Sequence, residues 1–238
     1  MSHLDFERIA CPGCGAAREY RIFRSLNGER IASQVRRLLD GTFERVRCTA
    51  CGLPFRLEHR MLYAHYALRT WVVMFSPGDR SHYDGLEHDV ERLFAQSFAG
   101  APGLVAAGLR GVRPRLVFGQ HALSEAVRVV EASMDPALLE CAKLVVFRRS
   151  LATLIGHGPV ELCYEGRRRG SDDLRMGVYA LRTAARVGEV DVASRLMIEI
   201  EARKTELEEL YPALFAKPYV SATRYLFGAG RAVDRSPQ

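Results

Sequence analysis

Six cysteines occur in 238 residues, and four of them form two pairs of equal spacing, Cys11-Pro-Gly-Cys14 and Cys48-Thr-Ala-Cys51. That spacing lets one tight turn aim both sulfurs of a pair at a single ion, and two pairs supply the four thiolates of a closed tetrahedral site. A glycine follows the second cysteine each time, Gly15 and Gly52. Glycine reaches positive φ without a Cβ clash, so backbone N–H groups can turn back toward the sulfurs and offset their charge. Pro12 fixes φ in the first turn. The pattern predicts one structural Zn²⁺ on Cys11, Cys14, Cys48 and Cys51. An iron–sulfur cluster, a redox dithiol and free thiols are the alternatives. A redox motif needs one pair at a helix start, whereas these two pairs flank predicted strands. A closed four-thiolate site keeps no position for water, so the ion is expected to hold architecture rather than do chemistry.

Other residue types are weighed against plainer roles. Cys141 lies at helical spacing among Ala137, Leu138, Leu144 and Val145 and reads as a small buried hydrophobe. Cys163 and His157 could form a nucleophile and base, but Cys163 shares a strand face with Glu161 and Glu165, whose charges raise a thiol pKa. His59, His65, His82 and His88 cluster in sequence with nothing to make them converge. Arg167, Arg168 and Arg169 read as a solvated hairpin tip. Arg21, Arg24, Arg45 and Arg47 lie on predicted strands with Tyr20, Phe23 and Phe43 interleaved, a pattern some ribbons use for nucleic acid. There is no P-loop, dinucleotide fingerprint, H-E-x-x-H or G-x-S-x-G motif.

The elements that must position the cysteines follow from periodicity. Residues 18–25 alternate weakly and read as a strand. Ile31, Val35, Leu38 and Leu39 give residues 29–40 a helical period, ended by Gly41. This helix fills the gap of 33 residues between Cys14 and Cys48, longer than the usual spacing between such pairs of roughly 15–20. Residues 42–47 and those around Phe55 and Leu57 read as strands. Residues 70–75 are almost wholly apolar and predict a strand buried on both faces. Ser76-Pro-Gly-Asp79 is turn chemistry and a candidate boundary. Helices follow at 86–98, closed by Gly100, Pro102 and Gly103, and at 121–132, with a short strand at 115–118 between them. Asp135-Pro136 starts a helix to about residue 154. Gly156 to Pro159 breaks it. Val160, Leu162 and Tyr164 alternate with Glu161, Cys163 and Glu165, predicting a strand with one wet face. A return strand is expected over 176–186 and a charged helix over 193–211.

The whole chain bounds these readings. It is 48% apolar and 26% charged, ordinary for a globular protein. No apolar run approaches the ~20 residues that span a bilayer. The first ten residues carry acids where a secretion signal would be basic, so a cytoplasmic location is expected. The formal charge is +6, yet 31 of the 34 basic residues are arginine and only three are lysine. Four thiolates and one Zn²⁺ add −2, which leaves a mild positive field rather than a basic stripe.

The residues of CPGCG, Leu39-Asp40-Gly41, CTACG, Phe55, Leu57, Trp71 and Phe75 resemble the CpXC domain, named for its first cysteine pair. The resemblance is densest over residues 8–76 and extends to about residue 150. It implies a zinc-binding domain of bacterial proteins and carries its four cysteines onto Cys11, Cys14, Cys48 and Cys51. It implies no activity and no catalytic residue.

The expected fold is α+β: a zinc-ribbon-like β domain with one inserted helix over 1–78, a helix-rich segment with a β-hairpin over 79–230, and a loose tail over 231–238. The expected function is a structural-zinc binding or adaptor protein with a protein partner and no membrane. Nucleic-acid binding through Arg21, Arg24, Arg45 and Arg47, and an enzyme with a pocket between the two halves, are the alternatives.

Overall fold

The computed structural model describes residues 2–99, 111–149 and 158–227. Strands β1 (His3–Ala10) and β2 (Ala17–Asn27) pair as an antiparallel hairpin with the first cysteine pair at its tip. Helix α1 (Ala32–Leu39) follows. It starts three residues later than its period suggests, because the Asn27 carboxamide oxygen accepts from the Glu29 and Arg30 N–H groups and holds that stretch in a turn. Gly41 (φ +76°) ends it, with Gly41 N–H on the Leu38 carbonyl and Thr42 N–H on that of Arg37, which satisfies two of the helix's last carbonyls. A second hairpin, β3 (Arg45–Arg47) and β4 (Pro54–Arg56), carries the second cysteine pair at its tip.

Strands β5 (Met61–His65), β6 (Thr70–Phe75) and β7 (Arg115–Phe118) complete a five-stranded mixed sheet of order β1-β2-β5-β6-β7. All six residues of β6 are buried, as their unbroken apolar run requires. Val72 and Met74 face α1 and helix α3 (Gly119–Glu131) through Leu38, Leu123 and Val127. Trp71, Val73 and Phe75 face helix α2 (Tyr83–Phe98) through Val90 and Phe94. The sheet takes four strands from before residue 78 and one, β7, from after it. A 3₁₀ turn (Pro77–His82) links β6 to α2.

Helix α4 (Pro136–Arg149) packs against a second sheet, the antiparallel meander β8 (Val160–Arg167), β9 (Leu174–Ala180) and β10 (Arg186–Val192). The expected hairpin is therefore a three-stranded sheet. The return strand ends at Ala180, and Ala184 (φ +54°) turns the chain into a third strand that its Gly188, Glu189 and Asp191 disguise. The expected wet face of β8 is also corrected. Glu161 and Cys163 are buried because α3 covers that face. The helix expected over 193–211 splits at Arg203 into α5 (Ser194–Ala202) and α6 (Lys204–Leu210). Short helices α7 (Pro212–Ala216) and α8 (Thr223–Phe227) follow. Residues 100–103, the end of the helix near 154, the break at 156–157 and the tail at 231–238 lie outside the described residues.

Candidate metal centre and a buried charged network

The two hairpin tips are built alike. Cys11 N–H donates to the Ala16 carbonyl and Gly15 N–H to that of Cys11; Cys48 N–H donates to Leu53 and Gly52 N–H to Cys48. Gly15 and Gly52 sit at φ +73° and +75°, a backbone conformation that side-chain-bearing residues take only with strain. Each tip offers one buried and one exposed cysteine. The Cys11 and Cys51 sulfurs are 3.7 Å apart, as are those of Cys14 and Cys48, and all four lie within 4.8 Å of one another. Four thiolates around one tetrahedral ion with metal–sulfur bonds near 2.3 Å would be separated by about 3.8 Å. The tips close on each other at Leu53, whose Cδ2 is 2.7 Å from where a Cβ on Gly13 would stand.

The thiols are not electrically equivalent. The Cys51 and Ala50 backbone N–H groups, aimed at Cys48 Sγ, pull its pKa down to about 6. The Leu53 N–H lowers the Cys51 pKa, but the hydrogen bond with Cys14, burial, and the hydrogen bonds with Cys11 and Cys48 outweigh that and push it up to about 12. One thiolate forms readily and then resists the rest. A cation within the cluster removes that resistance. The donor set, the spacing and the inward N–H groups fit a metal ion.

The arginines read as a nucleic-acid face differ in what they contact. Arg24 is held by Asp5 (3.3 Å) and Glu7 (2.5 Å). Arg47 donates to the Gly52 carbonyl and so braces the second cysteine turn. Arg21 and Arg45 are exposed. Phe43 is fully buried and offers no face for stacking, and half-buried Phe23 packs against it at 5.7 Å. Tyr20 meets Phe55 edge to face at 6.0 Å.

The remaining candidates separate. Cys141 is buried in α4. His157 lies outside the described residues. Burial, then Glu125 and Glu161, push the Cys163 thiol well up, the opposite of what a nucleophile needs. His59 is buried and its Nε2 meets Glu44 at 2.6 Å, while its Nδ1 lies 3.1 Å from the Arg60 carbonyl. His65 faces Glu29, His82 faces Ser81, and His88 faces the Asp84 carbonyl. Arg167 and Arg168 pair with Asp172 and Asp191 at the tip of the second sheet.

Sequence reading missed a second constellation where α3, α4, β8 and the segment at 218–224 meet. Glu161 Oε1 accepts from Arg80 (2.5 Å) and from His121 Nε2 (2.6 Å), and the His121 ring stacks on Tyr179. Burial opposes the Glu161 charge, but Arg80 and His121 outweigh it and hold the carboxyl at about 2. Lys143 Nζ is 2.6 Å from both Glu125 and Glu140. The segment at 218–224 closes the network: Ala222 N–H donates to Glu140, Tyr219 N–H to Glu87, and Arg224 to Glu87. His121, Glu161 and Cys163 place their ligand atoms within 4.8 Å. Glu161 Oε1 is already taken by both Arg80 and His121, and burial pushes the Cys163 thiol pKa up, so the trio is built around the Arg80–Glu161 ion pair. One signal was available. Apart from Glu140 and Lys143, residues 136–147 of helix α4 are apolar on every face, and such a helix is buried. Glu140 and Lys143 within it therefore had to find partners.

No match is found among curated proteins or solved structures. The family model of the CpXC protein matches residues 9–143. That span holds both cysteine turns and every element from the first hairpin to the middle of α4, and it stops short of Glu161. It covers more than half of the 238 residues, and the chain belongs to the CpXC family.

Proposed function

We propose that Cys11, Cys14, Cys48 and Cys51 bind one Zn²⁺ as a structural ion, and that the protein is a binding or adaptor protein whose metal-fixed hairpins meet a protein partner. The supporting observation is the convergence of two equally built turns, with sulfurs 3.7 Å apart in two pairs. Thiolate softness and tetrahedral spacing favour zinc over harder divalent ions. The fourfold thiolate shell leaves no open position, so the ion acts by holding β1–β2 against β3–β4 and not as a Lewis acid. Leu53 and Phe6 on these hairpins are exposed, Phe6 at 61%, and a protein partner would cover them. Elemental analysis of protein purified without chelator tests the metal: one zinc per chain is expected, and iron or no metal sinks the assignment. Affinity capture from native lysate with wild type and Cys14→Ser tests the adaptor role. Partners recovered equally by both would defeat it.

Nucleic-acid binding has less support, since Arg24 is neutralised and Phe43 is buried. Phosphate contacts release counterions, so that reading requires affinity to fall steeply with salt. Absence of binding even at low salt ends it.

A further inference from the structure

Each turn of the metal centre contributes one buried cysteine, Cys11 or Cys48, and one exposed cysteine, Cys14 or Cys51. Both 3.7 Å sulfur contacts cross between the turns. Cys51 of the second turn meets Cys11 of the first, and Cys14 of the first meets Cys48 of the second. Each contact therefore joins an exposed cysteine to a buried one.

Peroxides oxidise accessible thiolates, and a second thiolate beside the first captures the product as a disulfide. The centre supplies both parts twice. With zinc bound, all four sulfurs are thiolates at neutral pH. Bridging either pair needs its sulfurs to close from 3.7 Å to about 2.05 Å. The other two cysteines lack these features. Cys141 and Cys163 are buried, and burial pushes the Cys141 thiol up to about 12 and the Cys163 thiol well up, so both stay protonated.

We propose that the zinc centre is a peroxide-responsive site, in which oxidation closes two bridges between the hairpins, Cys11–Cys51 and Cys14–Cys48, and expels the ion. This rests on the zinc reading above. In each pair the exposed cysteine's thiolate attacks one peroxide oxygen. The O–O bond breaks, the sulfur becomes a sulfenic acid and hydroxide leaves. The buried thiolate then attacks that sulfur, the S–O bond breaks and a second hydroxide leaves. Each pair gives two electrons to one peroxide, and two protons from solvent turn the hydroxides into water. Disulfide sulfurs no longer serve as thiolate ligands, so zinc departs. Four thiolates and one Zn²⁺ carry −2, whereas two disulfides carry no charge. The tips beside exposed Leu53 thus lose their negative charge on oxidation.

Hydrogen peroxide titration of the whole chain, purified without chelator or thiol and with its zinc first counted by elemental analysis, tests this. Zinc release is followed with a chromophoric chelator. Free thiols are then alkylated in denaturant, and peptides are mapped without reduction. Two peroxides per chain are expected to release the one zinc, with peptides joined as Cys11–Cys51 and Cys14–Cys48 and with Cys141 and Cys163 recovered as alkylated thiols. Dithiothreitol and added zinc are expected to restore one zinc per chain. Bridges within the turns, Cys11–Cys14 and Cys48–Cys51, or sulfinic acids in place of bridges, overturn the proposal. Zinc-loaded protein that keeps its ion under peroxide defeats this proposal alone. Protein that holds no zinc before peroxide is added defeats the zinc reading and this proposal with it.

Discussion

Lys143→Met isolates the cost of the interior charges. In the wild type one ammonium sits 2.6 Å from a carboxylate oxygen of Glu125 and 2.6 Å from one of Glu140, with side-chain exposures of 3%, 11% and 5%. Those two oxygens are therefore at most about 5.2 Å apart. Without the lysine, two buried carboxylates at that separation repel by ~3 kcal/mol at an effective dielectric near 20. The alternative is to protonate one of them. At pH 7 that costs ~4 kcal/mol, from a usual glutamate value near 4.3 and 1.36 kcal/mol per pH unit. Both routes place the loss at ~3–4 kcal/mol, within the range for breaking a buried pair. The protonation route also fixes a pH dependence. In the variant, the lone carboxyl has a folded pKa above its unfolded value. The folded state then holds a proton that the unfolded chain releases, so stability falls as pH rises. The deficit relative to wild type should shrink by ~1.4 kcal/mol per unit on lowering pH, to ~1 kcal/mol at pH 5. Urea unfolding of both proteins at pH 5, 6 and 7, with zinc supplied, measures this as a difference. Subtracting wild type cancels the cysteine cluster's own pH dependence. A deficit that stays constant across that range, or that is under ~1 kcal/mol at pH 7, refutes the reasoning.

Cys14→Ser should lower zinc content and remove hydrogen-exchange protection from residues 8–16 and 45–56, because zinc binding in small motifs contributes on the order of 10–16 kcal/mol to folding. Full protection of both hairpins in metal-free protein would contradict this. His59→Leu should destabilise by ~2 kcal/mol through the lost bond to Glu44. Burial lowers the His59 pKa, but the Glu44 hydrogen bond and charge raise it further, to above its usual value. The stabilisation is then complete below the unfolded value and lost as pH rises through the folded one, so the gap to wild type should be wider at pH 6 than at pH 9. Gly119→Ala should lower the melting temperature by the equivalent of ~1–3 kcal/mol. Gly119 sits at φ +82°, and a Cβ there would stand 2.7 Å from His121 Cε1. An unchanged melting curve would show that the His121 ring can move aside.

Local pattern revealed what local forces decide. Residues 70–75 and 115–118 are strands over those same spans, because burial on both faces and a short apolar run leave few alternatives. The cysteine turns were legible because Gly15 and Gly52 mark backbone that only glycine takes without strain. The boundary at Glu29 failed because the Asn27 side chain competes with the helix for the same N–H groups. Strand β10 failed because it lies at the edge of the second sheet, where polar residues are tolerated. The charged network was out of reach. Arg80 and Glu161 stand 81 residues apart in sequence, and nothing in either neighbourhood specifies the other. Only the odd presence of Glu140 and Lys143 inside an apolar helix hinted that a partner was needed.

The segment at 218–224 has a consequence for synthesis. Glu87, Glu140 and Arg80 are emplaced by residues made long before Tyr219, Ala222 and Thr223 leave the ribosome. Leu116 on the sheet edge likewise waits for the Pro218 carbonyl. The nascent chain must keep these ionic groups hydrated until residues 218–224 emerge, and then strip that water in one closing step. Maturation would thus end in dehydration of charge rather than in collapse of oil, and chains cut short before Pro218 would be held as wet, open intermediates.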